Sequence, residues 1–149
     1  MRAMSTDHKA LGVDYFNGTW DLLEKQDRSR ADDDRMLHMA HASRFHWGEV
    51  GEPINFARGE WQVSRVYAVL GRSEPAVFHG RRSLEICQAN GIGDFDLAFA
   101  YEALARGYRV GGDKAEAARY LDLAREAVAG IKDPEDRDWT VKNLDEIAL

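Results

Sequence analysis

The chain has 149 residues, a hydrophobic content of 44% and a formal net charge of −6, which is typical of one globular domain with a buried core. The negative charge argues against a general binder of nucleic acids or anionic membranes, because phosphate binding needs clustered positive charge. The single cysteine, Cys87, excludes an intrachain disulfide, and no apolar run reaches the roughly 20 residues of a membrane helix. These features together predict a cytoplasmic protein.

Apolar residues at helical spacing predict two helices in the first third of the chain. Residues 1–12 lack the pattern and are expected to form a flexible leader. An N-terminal helix pair is predicted over 13–52, with its helices at about 13–26 and 33–50. The first of them carries an apolar stripe made of Phe16, Trp20 and Leu23.

Glycines, prolines and capping residues divide the rest of the chain. One helix hairpin is predicted over 53–91, a second over 92–132, and a single capping helix over 133–149. Gly71 and Gly112 end the first helix of each hairpin. Ser73 and Asp113 are the expected N-cap residues of the helices that follow, and Asp133-Pro134 is expected to open the last helix. No sustained alternation predicts a strand, so the chain is expected to be all-α with seven helices.

Two stretches of the chain repeat each other at a spacing of 41 residues. Small residues, a tyrosine, an arginine and a glycine recur in the same order in both. The matched pairs are Ser64/Ala105, Arg65/Arg106, Tyr67/Tyr108, Gly71/Gly112 and Ala76/Ala117. Small residues recur where two helices approach closely, so the pattern predicts a helix–turn–helix unit stacked on a copy of itself.

Residues 58–130 resemble the tetratricopeptide repeat, whose signature is W-x2-L-G-x2-Y followed by A-x3-F, a small residue and a proline. The first copy departs from it, with Glu60 at the first aromatic position and Gly80 where a large residue is usual. The spacing of 41 resembles the long-repeat members of the superfamily. The second copy fits best, through Tyr101, Leu104, Ala105, Tyr108, Ala117, Leu121 and Ala124. The resemblance implies a right-handed superhelix of antiparallel helix hairpins.

In such an array the first helix of each hairpin lines a concave groove. The resemblance therefore assigns to the groove the predicted binding residues Arg58, Trp61, Arg65, Phe99, Glu102, Arg106 and Arg109. Four arginines against one glutamate favour a protein or peptide partner with acidic groups, because guanidinium forks bind carboxylates and stack on aromatic rings. We then expect Arg65 and Arg106 to point to solvent. In the alternative, the arginines pair internally with Glu60, Glu102 or the aspartates at 32–34.

A histidine-rich segment offers a second candidate site. His38, His41 and Glu49 share one helix face. Imidazoles are common metal ligands, but the histidine pair is spaced i, i+3 without the intervening glutamate of an HExxH motif, and further ligands would have to come from another helix. We therefore predict no metal and no other cofactor, with the histidines packed between helices beside acidic residues.

The function predicted from these residues is a non-catalytic protein–protein interaction module. Nucleophile elbows, phosphate-binding loops and dinucleotide fingerprints do not occur in the sequence, so no enzyme is predicted. One alternative is a small-ligand or metal-binding protein, including an enzyme, built around His38, His41, Glu49 and Trp47. Another is a homo-oligomer in which two chains bury their grooves against each other.

Overall fold

The computed structural model describes residues 5–147, which form seven α-helices and no strand. This confirms the all-α prediction. The helices are α1 (His8–Glu24), α2 (Arg30–Val50), α3 (Pro53–Val69), α4 (Ser73–Ala89), α5 (Asp94–Val110), α6 (Lys114–Val128) and α7 (Pro134–Asp145). None of these helices is long and apolar enough to cross a membrane.

The helices form three antiparallel hairpins, α1–α2, α3–α4 and α5–α6, and α7 follows them. The odd-numbered helices α1, α3, α5 and α7 lie side by side in one layer, with α2 packed on α3 and α4 packed on α5. Within residues 5–147 the backbones of the even-numbered helices stay apart, and these helices meet only through side chains such as His41 of α2 and His79 of α4. The odd-numbered helices are therefore closer together than the even-numbered helices behind them. Such an array curves toward the closely spaced helices, so the odd-numbered helices form its concave layer.

The spacing of 41 residues is visible at the turns. Gly71 and Gly112 both adopt a positive φ, of 76° and 80°, a conformation that favours glycine. The N–H of the residue after each glycine donates to the carbonyl of the repeated tyrosine, at 2.8 Å from Tyr67 O and 3.0 Å from Tyr108 O. The two first helices therefore end in the same way, as expected from a glycine just beyond a helix C-terminus.

The same spacing governs the aromatic contact inside each hairpin. Tyr67 stacks on His79 with ring centroids 5.8 Å apart, and Tyr108 stacks on Tyr120 at 5.7 Å. Both members of the second pair lie 41 residues after those of the first. The hairpins α3–α4 and α5–α6 are thus structural repeats of each other.

The predicted leader over 1–12 is wrong for residues 8–12, because α1 already begins at His8. The side chain of Asp7 caps this helix by accepting the N–H of Ala10 at 3.0 Å, a polar start that apolar periodicity does not detect. Residues 1–4 lie outside the described part of the chain.

Two other helix starts differ from the prediction. Helix α2 begins at Arg30 and not near 33, because Ser29 and Asp32 form a capping box. Ser73 is the first residue of α4 and not its N-cap, and its hydroxyl donates to Gly107 O at 2.9 Å. The predicted cap Asp113 is confirmed, because its side chain accepts an N–H group of α6, and α7 opens at Asp133-Pro134 as expected, with Asp133 as its N-cap.

The core has two parts. The larger lies between α4, α5, α6 and α7 around the fully buried Leu104 and includes one residue of α3, Ala57. The smaller joins α2 to α3 through Met36, Val63 and Val66. Cys87 is fully buried in the larger part, and this burial raises the pKa of its thiol to about 11. It therefore packs as a small apolar residue, as the sequence predicts.

Replacing Ala117 by leucine tests the close approach of α6 to the core. Ala117 is fully buried, so the larger side chain should overpack the contact and lower the free energy of unfolding by about 1–3 kcal/mol. Urea denaturation measures the loss. Ala115→Leu, at an exposed site in the same helix, is the control and should leave stability nearly unchanged. Equal effects of the two changes would show that the helix pair is misassigned.

Candidate functional site

The concave layer holds a groove of about 710 Å³, within the range of ligand-binding clefts. Its walls come from α1, α3, α5, α7, one position of α4, and the segment that leads into α7. Aromatic side chains dominate the lining, namely Phe16, Trp20, Trp61, Phe95, Phe99 and Trp139. The groove therefore offers apolar surface from all four odd-numbered helices.

Four of these rings form a continuous row across three helices. The ring centroids of Trp20 and Trp61 are 5.8 Å apart, and Trp61 meets Phe99 edge to face at 5.5 Å. Phe99 in turn lies 4.6 Å from Phe95. Trp139 of α7 belongs to the same lining and is 42% exposed. Contacts at these distances are favourable between aromatic rings, so each ring helps to hold the next one.

The first contact of the row joins positions 41 residues apart, which are neighbours on adjacent odd-numbered helices. Trp20, Trp61, Glu102 and Asn143 occupy this position on α1, α3, α5 and α7. The first two are in ring contact, and the indole Nε1 of Trp61 donates to Glu102 Oε2 at 3.0 Å. The repeat therefore extends over all four helices of the concave layer, beyond the two hairpins where sequence similarity shows it.

Glu102 is the centre of a buried charged network. Its side chain has no exposed surface, and its Oε1 accepts Nε of Arg106 at 2.6 Å and Nη1 of Arg65 at 3.3 Å. Together with the indole of Trp61, three donors surround one carboxylate. A buried carboxylate is tolerated only with such partners, since an unpaired charge inside a protein is costly.

The two arginines extend the network to α7. Arg65 donates to Oδ1 of Asn143 at 3.4 Å, and Arg106 donates to the backbone carbonyl of Asn143 at 3.3 Å. Burial lowers the pKa of Arg65, the charge of Arg106 lowers it further, and the charge of Glu102 opposes both. The network thus ties α3, α5 and α7 together in the concave layer.

The expectation that Arg65 and Arg106 point to solvent is wrong. Their side chains are only 15% and 17% exposed, because both are drawn inward by the carboxylate of Glu102. Internal pairing with Glu102 was the alternative interpretation of the sequence. The other proposed acids have different partners: Glu60 lies 3.4 Å from Arg44, and Asp32 lies 2.7 Å from Lys25.

The remaining predicted residues divide into two groups. Arg58, Trp61 and Phe99 line the groove. Arg58 pairs in a bidentate fashion with Asp96, at 2.9 and 3.1 Å, and this hydrogen bonding raises the pKa of Arg58. Arg109 is exposed near the end of α5 and does not belong to the lining.

The groove is acidic, contrary to the positive charge expected from the sequence. Its lining includes two basic residues, Arg58 and Lys132, and four aspartates, Asp94, Asp96, Asp133 and Asp136. Asp96 is neutralised by Arg58. Asp94, Asp133 and Asp136, which we call the acidic end, lie where α5 and α7 begin. Lys132 is the basic residue that accompanies them.

Sequence analysis missed the aromatic residues Phe16, Trp20, Phe95 and Trp139 of the groove and the whole acidic end. A signal for one of them was present, since Trp20 lies 41 residues before Trp61. At this position of the repeat the residue is tryptophan in α1 and α3, glutamate in α5 and asparagine in α7. A search for similar residues therefore does not detect the repeat here. The acidic end has no comparable signal, because it depends on how α7 closes against α5.

The described residues of the histidine segment contact neighbouring helices. Among residues 5–147 no group of three histidine, cysteine, aspartate or glutamate side chains is arranged to hold a metal ion. His41 instead lies 2.9 Å from the hydroxyl of Tyr67. Trp47 packs against Gly12 of α1, where an added Cβ would come within 2.9 Å of the indole.

The sequence predicts that histidines of the segment contact acidic residues. In the structure a histidine outside the segment, His79, makes such a contact. Nδ1 of His79 lies 2.7 Å from Oε2 of Glu60. Burial alone would raise the pKa of Glu60, but the hydrogen bond to His79 and the charge of Arg44 outweigh it and lower the pKa. His41 and His79 meet edge to face at 5.5 Å, so this cluster joins α2, α3 and α4.

No protein-family model matches the chain, and neither a curated protein nor a solved structure matches it. The tetratricopeptide resemblance therefore stays a prediction. The repeat at 41 residues and the aromatic groove are observed in the chain's own geometry and do not depend on that resemblance.

Glu102→Gln tests the buried network. The change removes the charge that compensates Arg65 and Arg106, and breaking a buried ion pair on one side costs about 3–5 kcal/mol. Urea denaturation should show a loss of this order. Glu85→Gln is the control, because Glu85 pairs with Arg82 at the exposed surface and such pairs contribute about 1 kcal/mol or less. Similar losses in the two variants would contradict the central role of Glu102.

The folded state should become less stable as the solution is acidified below about pH 6.5. The pKa of His41 is lowered by burial and by the charges of His79 and His38, against the influence of Glu60. The unfolded chain therefore binds a proton more readily at this site. The resulting stabilisation is present above the pKa that His41 has in the unfolded chain. It is lost as the pH falls through the lower pKa that His41 has in the folded protein.

Chemical denaturation between about pH 7 and pH 5 measures this dependence. His41→Gln should make the free energy of unfolding vary less with pH in that window than it does in the wild type. Identical slopes in the two proteins would contradict the assignment to His41.

Proposed function

We propose that this protein is a non-catalytic interaction module that binds a segment of a partner protein in the concave groove. The observation that carries the proposal is the row of aromatic rings from Trp20 through Trp61 and Phe99 to Phe95. Aromatic side chains in a cleft are the usual anchors of protein interfaces, because they bury large areas and lose little conformational freedom.

The rigid support of the row favours binding. The indole of Trp61 is fixed by its hydrogen bond to Glu102, and Glu102 is fixed by Arg65 and Arg106. A surface that is ordered before the partner arrives avoids part of the entropy cost of association. The arginines therefore act in this proposal as supports for the groove and not as its ligands.

The polar groups of the lining support a non-catalytic role. Asp96 is paired with Arg58, Asp133 caps α7, and the hydroxyl of Ser83 donates to Ala57 O at 2.9 Å. Each group has a structural task. A nucleophile with an adjacent base, the arrangement that covalent catalysis requires, is not formed among these three side chains.

The other predictions about partners and location remain predictions. No contact in the described chain favours the small-ligand site around His38, His41 and Glu49 over the groove. Pairing of two grooves in a homo-oligomer stays an alternative. A cytoplasmic location, and the expectation that the partner is neither a nucleic acid nor a membrane, rest on the sequence alone.

A library of randomised dodecapeptides displayed on phage tests the proposal. Selection on the wild-type protein should enrich peptides, whose affinity is then measured by titration of tryptophan fluorescence. Trp61→Ala should weaken binding by about 30-fold, since a central aromatic anchor contributes about 2 kcal/mol or more. Phe78→Ala is the control, because Phe78 is 56% exposed and lies outside the groove lining.

Two results would contradict the proposal. One is a selection that enriches no peptide. The other is an enriched peptide that Trp61→Ala and Phe78→Ala affect equally, since binding would then take place elsewhere on the surface. Circular dichroism of both variants checks that their helical content is retained.

A further inference from the structure

We infer that the bound segment places a basic side chain, arginine or lysine, between the aromatic row and the acidic end of the groove. This inference rests on the proposed function and specifies the chemistry of the partner. The sequence suggests an acidic partner, whereas this inference requires a basic one. The difference arises because the arginines at the groove are paired with acidic residues of the protein itself.

The first reason is the charge that remains after internal pairing. Arg58 and Asp96 neutralise each other through two hydrogen bonds. The other charged residues of the lining are the three aspartates of the acidic end and Lys132, so the groove keeps an excess of negative charge. Potentials across interfaces are complementary, and like charges brought together are costly. A basic segment therefore fits this groove better than an acidic one.

The second reason is that the carboxylates of the acidic end are held in place by the backbone. Asp94 Oδ1 accepts the N–H of Phe95 at 2.7 Å, and its Oδ2 accepts the N–H of Lys132 at 3.4 Å. Asp133 Oδ1 accepts two N–H groups of the first turn of α7. Backbone donors do not neutralise a carboxylate as a basic side chain does. The negative charge of Asp94 and Asp133 is thus fixed in position and still available to a cation.

The third reason is the aromatic lining itself. Arginine and lysine are attracted to the faces of aromatic rings, most strongly to tryptophan. The chain already uses this contact beside the groove, because the guanidinium of Arg65 lies 6.0 Å from the ring centroid of Trp61 and the ammonium of Lys142 lies 5.9 Å from that of Trp139. A site that combines tryptophan rings with fixed carboxylates recognises a cation through both its charge and its shape.

An acidic segment would lack comparable partners. Arg65 and Arg106 are buried against Glu102, and Arg58 is paired with Asp96. To bind a carboxylate, any of them would have to leave its own. Breaking the pairs with Glu102 would also leave a fully buried carboxylate without its charge partners, which is costly.

The randomised dodecapeptide library provides the probe. Peptides enriched on the wild-type protein should share an arginine or a lysine next to apolar or aromatic residues. For each of several enriched peptides, a synthetic copy is made in which arginine is replaced by citrulline or lysine by acetyl-lysine. Both replacements remove the positive charge; citrulline keeps the size of arginine, and acetyl-lysine adds an acetyl group to the side chain. We expect the neutral copy to bind about tenfold more weakly.

Asp136→Asn and Asp138→Asn form a matched pair of protein variants. Both residues are exposed in α7, but Asp136 belongs to the groove lining and Asp138 does not. Asp136→Asn should weaken the charged peptide about threefold and leave its neutral copy unaffected, because the change removes one negative charge at the acidic end. Asp138→Asn should change neither affinity. Raised salt should weaken the charged peptide more than its neutral copy.

The outcomes separate this inference from the function on which it rests. Enriched peptides without a basic residue, enrichment of acidic peptides, or equal affinity of charged and neutral copies would overturn the inference while the groove remained a peptide-binding site. Equal effects of Asp136→Asn and Asp138→Asn would overturn it as well. A library that yields no binder at all would overturn the proposed function and the inference together.

Discussion

The concave layer depends on one buried carboxylate. Glu102 has no exposed surface and accepts hydrogen bonds from Trp61, Arg65 and Arg106. Through the two arginines it also reaches Asn143 of α7. A charge at this depth is stable only while its donors stay in place, so the carboxylate specifies how α3, α5 and α7 sit against one another. Apolar contacts alone would tolerate small shifts between these helices more readily.

This constraint explains why the groove is both open and ordered. The indole of Trp61 makes its polar contact with Glu102 and its ring contacts with Trp20 and Phe99, so the orientation of the side chain is fixed from several directions. Arg65 and Arg106 are used below the surface, where they pair with Glu102, and aromatic rings remain to line the groove. The aspartates at the starts of α5 and α7 form the acidic end of the groove.

The sequence is sufficient for the fold and for part of the site. Local chemistry determines the turns, because Gly71 and Gly112 reach a positive φ and Asp113 and Asp133 cap the helices that follow. The groove residues Arg58, Trp61 and Phe99 are among those that the resemblance to tetratricopeptide arrays predicts. The role of Arg65 and Arg106 could not be predicted in this way, because packing between helices decides whether an arginine faces solvent or a buried glutamate. The acidic end likewise forms only when α7 closes against α5, and no local pattern specifies that contact.

Hydrogen exchange at the tryptophan indoles measures the central claim most directly. In a sample labelled with ¹⁵N at tryptophan, the indole N–H of Trp61 should exchange slowly, because it donates to a carboxylate with no exposed surface. The indole of Trp139, in a side chain that is 42% exposed, should exchange much faster. Exchange at Trp61 as fast as at Trp139 would contradict the account, because the network around Glu102 could then not be what holds the groove in place.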